Sequence, residues 1–263
     1  MFDALFTTTT EYKKLSHALS GKGACALFGL PASGRAQVYA ALCRQLDKPL
    51  CIVTPGEAEA TRFAADLNTL GIPAAVFPAR DYVLRPIEGT AREYEYRRLA
   101  VLGELVGGRL RAVAVPAEAL TQFTTPKEDF CANTRTLHAG DTLLRDDLLA
   151  ALFGAGYTRR AQVDGPGQFS VRGDIGDIFA PDQKMPVRME FWGDEIDTLH
   201  TFDLTTQRRE DAIDKFYLSP AREVLFGKPA DAAEQLRAFL AKQRGKKKTA
   251  MADCMAADLD LLD

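Results

Sequence analysis

The sequence predicts a chain of two α/β units: a parallel sheet with crossover helices, then a small α+β module built on an antiparallel sheet. Three observations lead there. Up to about residue 123, short apolar runs alternate with helix-length stretches, the pattern of parallel strands joined through helices. At Thr124-Thr125-Pro126-Lys127-Glu128 a breaker interrupts that rhythm and marks a module boundary. From Gly156 to Leu199 the apolar residues alternate one by one: Phe169 and Val171 on one strand, then Val187, Met189 and Phe191 on another. A period of two belongs to strands with one buried face. The other face then carries Ser170, Arg172, Arg188, Glu190 and Trp192, a charged surface that needs its own explanation.

In chain order, Phe2, Leu5, Phe6, Tyr12, Leu15 and Leu19 recur at helical spacing and predict a leading helix. Ala24-Cys25-Ala26-Leu27-Phe28 reads as a buried strand between glycines, and Gly29-Leu30-Pro31-Ala32-Ser33-Gly34 as a tight loop. Arg35 to Asp47 follows as a helix with Val38, Leu42 and Leu46 inward. Pro49 to Val53 is the next strand, Glu57 to Leu70 a helix, and Ala74 to Phe77 a third strand. The stretch from Ala79 mixes arginines and tyrosines, then begins a helix that runs to about Val106. Glu88, Glu93 and Glu95 are interleaved with Arg92, Arg97 and Arg98, so local ion pairs on a solvated face explain the charge better than nucleic acid does. Leu110 to Val115 is a fourth strand and Pro116 to Phe123 a short helix.

Beyond the breaker, Thr134 to His138 reads as a strand, and Arg145 to Gly154 as a helix with Leu148, Leu149 and Leu152 inward. Gly165-Pro166-Gly167 and Pro181-Asp182-Gln183 supply turns between the alternating strands. Asp214 to Tyr217 and Glu223 to Phe226 are further short strands, and Ala230 to Arg244 an amphipathic helix. The basic run Lys242, Arg244, Lys246, Lys247 and Lys248 suits a helix C-terminus in solvent. The expected units are 1–124, 125–208 and 209–263, the last being the truncated start of a third subdomain that packs on the first.

Composition narrows the function. The 263 residues are 46% hydrophobic, enough for real cores, and the net charge of −3 argues against a dedicated nucleic-acid binder. Cys25, Cys43, Cys51, Cys131 and Cys254 form no CxxC pair and no metal-ligand spacing with histidine, so neither metal nor cofactor is expected. Without a signal peptide or a membrane-length apolar run, a soluble cytoplasmic protein is expected.

Gly29 and Gly34 have the spacing of a phosphate-binding P-loop, G-x-x-x-x-G-K-[ST]. The next positions are Arg35 and Ala36. A lysine there reaches the outer phosphates and a hydroxyl holds magnesium, and alanine can do neither. Pro31 also removes a backbone donor from the loop. The first unit therefore reads as P-loop-NTPase-like in degenerate form. Gly29, Gly34, Arg35 and Ala36 make a non-functional nucleotide loop, and no ATP hydrolysis is expected.

With these pieces placed, the sequence resembles the N-terminal region of bacterial transcription-repair coupling factor (Mfd), a region itself similar to the first part of the excision-repair helicase UvrB. Four blocks carry the resemblance: Gly29 to Ala36, Arg80-Asp81-Tyr82 through Arg97-Arg98-Leu99, Gly156-Tyr157 to Phe179-Ala180-Pro181, and Pro186 to Asp197 running on to Phe202-Asp203. The degenerate loop, and the absence of a Tyr-Tyr cluster between Ala79 and Glu95, favour the coupling factor over UvrB. The resemblance implies that the middle module binds the repair protein UvrA. It carries Arg159, Arg172, Phe179, Arg188 and Glu190 over as contact residues, while Ser170 stands where the UvrB pattern often has a further arginine. It implies a non-catalytic docking part that couples stalled transcription to excision repair. RNA polymerase and DNA would be engaged through other parts of the full-length family protein, an ATP-dependent DNA translocase. The alternative is a UvrB-type ATP-dependent DNA-damage-recognition subunit, and Arg35-Ala36 is the feature that separates the two.

Overall fold

A computed structural model describes residues 7–21, 24–46, 48–80 and 92–225, together with 234, 237–239 and 241–242. The start of the predicted leading helix, the middle of the Arg80–Arg98 block, most of the predicted helix at 230–244 and most of its basic run lie outside the described residues.

Helix α1 (Thr10–Ser20) starts where the Thr9 hydroxyl accepts a hydrogen bond from the Tyr12 backbone N–H at 3.3 Å, a side-chain N-cap. Its Tyr12 and Leu15 pack on Val38, Ala41 and Leu42 of α2 (Ala32–Gln45). Then come β1 (Leu50–Thr54), α3 (Glu57–Thr69), β2 (Ala74–Val76), α4 (Glu93–Val106), β3 (Ala112–Pro116) and α5 (Ala117–Leu120). The three strands form a parallel sheet in the order β1-β3-β2, with Leu50 and Ala74 both in register with Ala112. β3 is buried along its whole length, as a central parallel strand must be. Phe63 and Leu67 of α3 close one core with Ile52 and Ala112.

One predicted strand is missing. Ala24 to Phe28 joins no ladder among the described residues, and its side chains are exposed, Phe28 to 89%. An apolar run of five residues records hydrophobicity but not a pairing partner. β1 stands at the edge of the sheet with no described strand beyond it.

The second unit begins with α6 (Lys127–Ala132), β4 (Arg135–His138) and α7 (Arg145–Gly154). A run of strands follows: β5 (Thr158–Arg159), β6 (Gln168–Arg172), β7 (Ile175–Phe179), β8 (Val187–Trp192), β9 (Glu195–Phe202), β10 (Arg209–Ala212) and β11 (Lys215–Leu218). Six of them form one sheet in the order β10-β9-β8-β7-β6-β5, antiparallel except at β5–β6. β11 pairs with β4. The alternation read from sequence builds the core: Phe169, Ile178, Val187, Met189, Phe191, Ile196 and Leu199 meet Leu148 and Leu152 of α7 on one face. Thus β10 and β11 extend the ladders of this unit past residue 208.

Glu223, predicted within a strand, instead joins the two units. In the described part of 223–226 no strand forms, and the Glu223 carboxylate lies buried against Arg98 of α4. Arg98 Nε donates to both carboxylate oxygens at 3.0 and 2.8 Å, and Nη2 donates at 2.7 Å. Nearby, the Tyr157 hydroxyl donates to the Ser219 carbonyl at 2.7 Å, and the Ser219 hydroxyl to Asp182 at 2.6 Å. A polar segment that must be buried is held by side chains here because no neighbouring strand takes up its backbone.

Candidate partner-binding face

Register fixes which residues share the face opposite α7. One row across the sheet is Ser170, Asp177, Arg188 and His200; the next is Arg172, Ile175, Glu190 and Thr198. Asp177 lies between two arginines and is fully buried. Its Oδ1 accepts from Arg188 Nε at 2.7 Å, and its Oδ2 accepts from Arg188 Nη2 and from Arg172 Nη2, each at 2.9 Å. Arg188 also donates through Nη1 to the Gln207 carbonyl at 3.1 Å and lies 4.8 Å over the Phe202 ring. The Asp177 hydrogen bonds push the Arg188 pKa up against the opposing effect of burial, so this guanidinium keeps its charge. Glu190 pairs with Arg209 of β10 and accepts from Thr198 at 3.3 Å.

The face has two ends. At one, residues 160–167 and the turn at 203–208 roof the sheet. Ser170 donates to the Ala161 carbonyl at 2.9 Å, and Gln207 Nε2 to the carbonyls of Leu204 at 2.8 Å and Val163 at 3.4 Å. Val163, Phe179 and Phe202 form a small apolar cluster there. Phe179 is therefore buried beneath this roof, and the Arg188 side chain is only 13% exposed. At the other end the face opens. The Arg172 side chain is 54% exposed, and Trp192, on the same side of β8 as Arg188 and Glu190, is 84% exposed.

The structure thus brings Arg172, Arg188 and Glu190 onto one face and adds Phe179 under its roofed end. Arg159 is exposed on the edge strand β5, in register with Phe169, which places it on the other side of the sheet from Arg172. Asp177, Arg209 and the Phe202 ring escaped the sequence reading. Asp177 shares its side of β7 with the apolar Ile175 and Phe179, so strand parity alone does not put it on the arginine side; its register with Ser170 and Arg188 does. The ion-pair partners depend on strand order, which parity does not give.

Around Gly29 to Ala36, α2 already begins at Ala32, Gly29 holds φ 81°, and Gly34 lies inside the first helical turn. Arg35 is exposed, with Nη1 3.9 Å from Glu59 Oε1, and Ala36 is buried. Among the described residues no cluster of three or more His, Cys, Asp or Glu side chains could hold a metal ion, and no helix is long and apolar enough to cross a membrane.

A family model described as the UvrB interaction domain matches residues 136–224. Over 226 residues the chain is 28% identical to the transcription-repair-coupling factor of Bacillus subtilis, covering 84% of this chain and 19% of that protein. It is 35% identical over 208 residues to the transcription-repair-coupling factor of Myxococcus xanthus, covering 75% and 17%. It is also 28% identical over 226 residues to the UvrABC system protein B of Chlorobium limicola, covering 80% and 32%. The chain therefore spans less than a fifth of the length of these coupling factors and about a third of that UvrB protein.

Proposed function

The chain is a UvrB-like region of the kind that transcription-repair-coupling factors carry, and we propose that its six-stranded sheet docks UvrA through the face bearing Arg172, Arg188 and Glu190, without catalysis of its own. In this reading the chain lets a coupling factor recruit nucleotide excision repair to a stalled RNA polymerase, while polymerase and DNA are engaged by other parts of such a factor. The observation that carries the proposal is the arginine–carboxylate layer. An isolated surface ion pair stabilises by only about 0–1 kcal/mol. Here two arginines converge on one buried aspartate, and one of them keeps half its side chain in solvent at the open end. That arrangement holds a charged, planar donor in a fixed orientation, which suits recognition of carboxylates on a partner protein.

The experiment is a titration of UvrA against the wild-type chain and the Arg172→Glu variant. Arg172 is half exposed but donates to the buried Asp177, so its reversal is expected to lower Tm modestly and to weaken UvrA binding at least about tenfold, an effect of roughly 1.4 kcal/mol. Adding Arg188→Glu is expected to abolish binding. Wild-type affinity in folded Arg172→Glu would overturn the proposal. A UvrB-type ATP-dependent reading has the Chlorobium limicola match in its favour. Ala36, buried and without a hydroxyl where a nucleotide loop needs one, speaks against it.

A further inference from the structure

We infer that Trp192 is an anchor of the same docking surface, inserted into the partner beside Arg172; the inference rests on the UvrA-docking reading above. Trp192 ends β8 on the side of the sheet that carries Arg188 and Glu190. Arg172 ends β6 one row short of it, two strands away. With strands about 4.8 Å apart and about 6.7 Å between alternate residues, their Cα atoms are about 12 Å apart, well inside one protein–protein footprint.

Two hairpins fix this end of the sheet. Arg172 and Ile175 flank the turn Gly173-Asp174, and Trp192 and Glu195 flank Gly193-Asp194, each turn opened by a glycine at positive φ, 58° and 64°. Both turns are tied down from outside. The Asp174 carbonyl accepts from Phe191 N–H at 2.8 Å and its carboxylate from Arg145 at 2.7 Å. The Asp194 carbonyl accepts from Leu143 N–H at 2.7 Å, and Thr142 bridges to Glu195. The backbone under Trp192 is therefore rigid, while the indole makes no ring contact or hydrogen bond among the described residues and is 84% exposed.

A single exposed apolar side chain is ordinary on a protein surface. Its position distinguishes this one. It is the largest side chain type, presented on a hydrogen-bonded hairpin, and on the same face as an arginine held by a buried carboxylate. Tryptophan and arginine are the residues that dominate binding energy at interface centres, and preorganisation lowers the entropy lost on docking. A flat indole beside a guanidinium fork fits a partner that offers an apolar pocket next to carboxylates.

The test exploits a coincidence of composition: Trp192 is the sole tryptophan among 263 residues. Grown with 5-fluorotryptophan, the chain gives one fluorine resonance, read with and without unlabelled UvrA and a dissolved paramagnetic agent. The expected result is a shifted resonance shielded from that agent, with Trp192→Ala binding UvrA about ten- to thirtyfold more weakly and Trp192→Phe retaining most of the affinity. Tm is expected to stay level in both variants. A resonance that remains fully accessible in a complex sensitive to Arg172→Glu, or wild-type affinity in Trp192→Ala, overturns the inference and leaves the docking reading standing. Binding that ignores Arg172→Glu removes the docking reading, and this inference falls with it.

Discussion

Glu223→Gln is expected to destabilise the chain by about 3–5 kcal/mol. The Glu223 side chain has no exposed surface, and neither does that of Arg98. Three donor contacts from Arg98, between 2.7 and 3.0 Å, and an ion pair from Arg80 at 2.6 Å meet one carboxylate. Arg98 commits its remaining nitrogen to the Pro78 carbonyl at 2.8 Å and lies 4.0 Å over the Phe77 ring, so no water can replace a lost charge partner. Glutamine keeps the shape and one acceptor, so no cavity enters the comparison. What remains is the cost of a buried guanidinium without its counter-ion, about 3–5 kcal/mol. For a chain of this size each kcal/mol moves Tm by about 2–4 °C, giving a fall of roughly 6–20 °C. Arg98→Met is expected to cost a similar amount. The double variant Arg98→Met/Glu223→Leu should recover most of the loss, because apolar replacement of a whole buried pair is often near neutral. Urea denaturation of wild type, Arg98→Met, Glu223→Leu and the double variant closes the cycle. A Glu223→Gln loss under about 1 kcal/mol, or a double variant no better than the sum of the singles, would refute the reasoning.

The same carboxylate makes stability depend on acid. Burial pushes the Glu223 pKa up, but hydrogen bonds from Arg98, Arg80 and Thr124 and the Arg98 charge outweigh it, and the net shift is down. A depressed folded-state pKa contributes stability that is fully present above the unfolded value of about 4.3 and is lost as pH falls through the folded one. The wild-type urea midpoint should therefore fall more steeply below about pH 4.3 than that of Glu223→Gln. On the partner face, Asp177→Asn is expected to cost about 2–4 kcal/mol in denaturation and to weaken UvrA binding, since it releases both arginines from a buried acceptor; an unchanged denaturation midpoint would contradict this. ATP with magnesium is expected to give neither saturable binding in the micromolar range nor hydrolysis, as measured by titration calorimetry and phosphate release.

The parts of the fold legible in the sequence were those written in periodicity. α7 occupies Arg145–Gly154, where the apolar stripe placed it, and Phe169, Val187, Met189 and Phe191 turn inward as alternation demands. The failures share a cause. Ala24–Phe28 and Glu223–Phe226 were judged by local hydrophobicity and length, and strands exist only where a partner supplies a ladder. Glu223 shows the point most sharply: its fate is set by Arg98, 125 residues away in the chain. Arg98 itself reads as part of a solvated helix face, yet among the described residues it heads the fully buried side chains by size. A charge pattern along a helix cannot announce that one of its members will be capped from another unit. Gly156 is a similar case. Its φ of 83° is expected of a helix-terminating glycine, whereas the Arg222 side chain packed where a Cβ would stand is visible only in the folded chain.

The charged face was legible as a face but not as a division of labour, and the division decides how it can work. Arg188 has three of its donor nitrogens engaged, two on Asp177 and one on Gln207, under a roof that leaves little of it in solvent. Glu190 is held by Arg209 and Thr198. These two residues shape the sheet surface more than they offer it. Arg172 differs: one of its nitrogens is anchored on Asp177, and half the side chain remains in water. A partner that reads this face must therefore meet Arg172 and the rigid Trp192 first, while Arg188 and Asp177 set the angle at which Arg172 is presented. It follows that Arg172→Glu should act mainly on affinity, with a small loss of stability from the one Asp177 contact, and Arg188→Glu strongly on both. If Arg188→Glu weakened UvrA binding at an unchanged Tm, Arg188 would be a direct contact and the presentation scheme would fail, although the docking surface itself would remain.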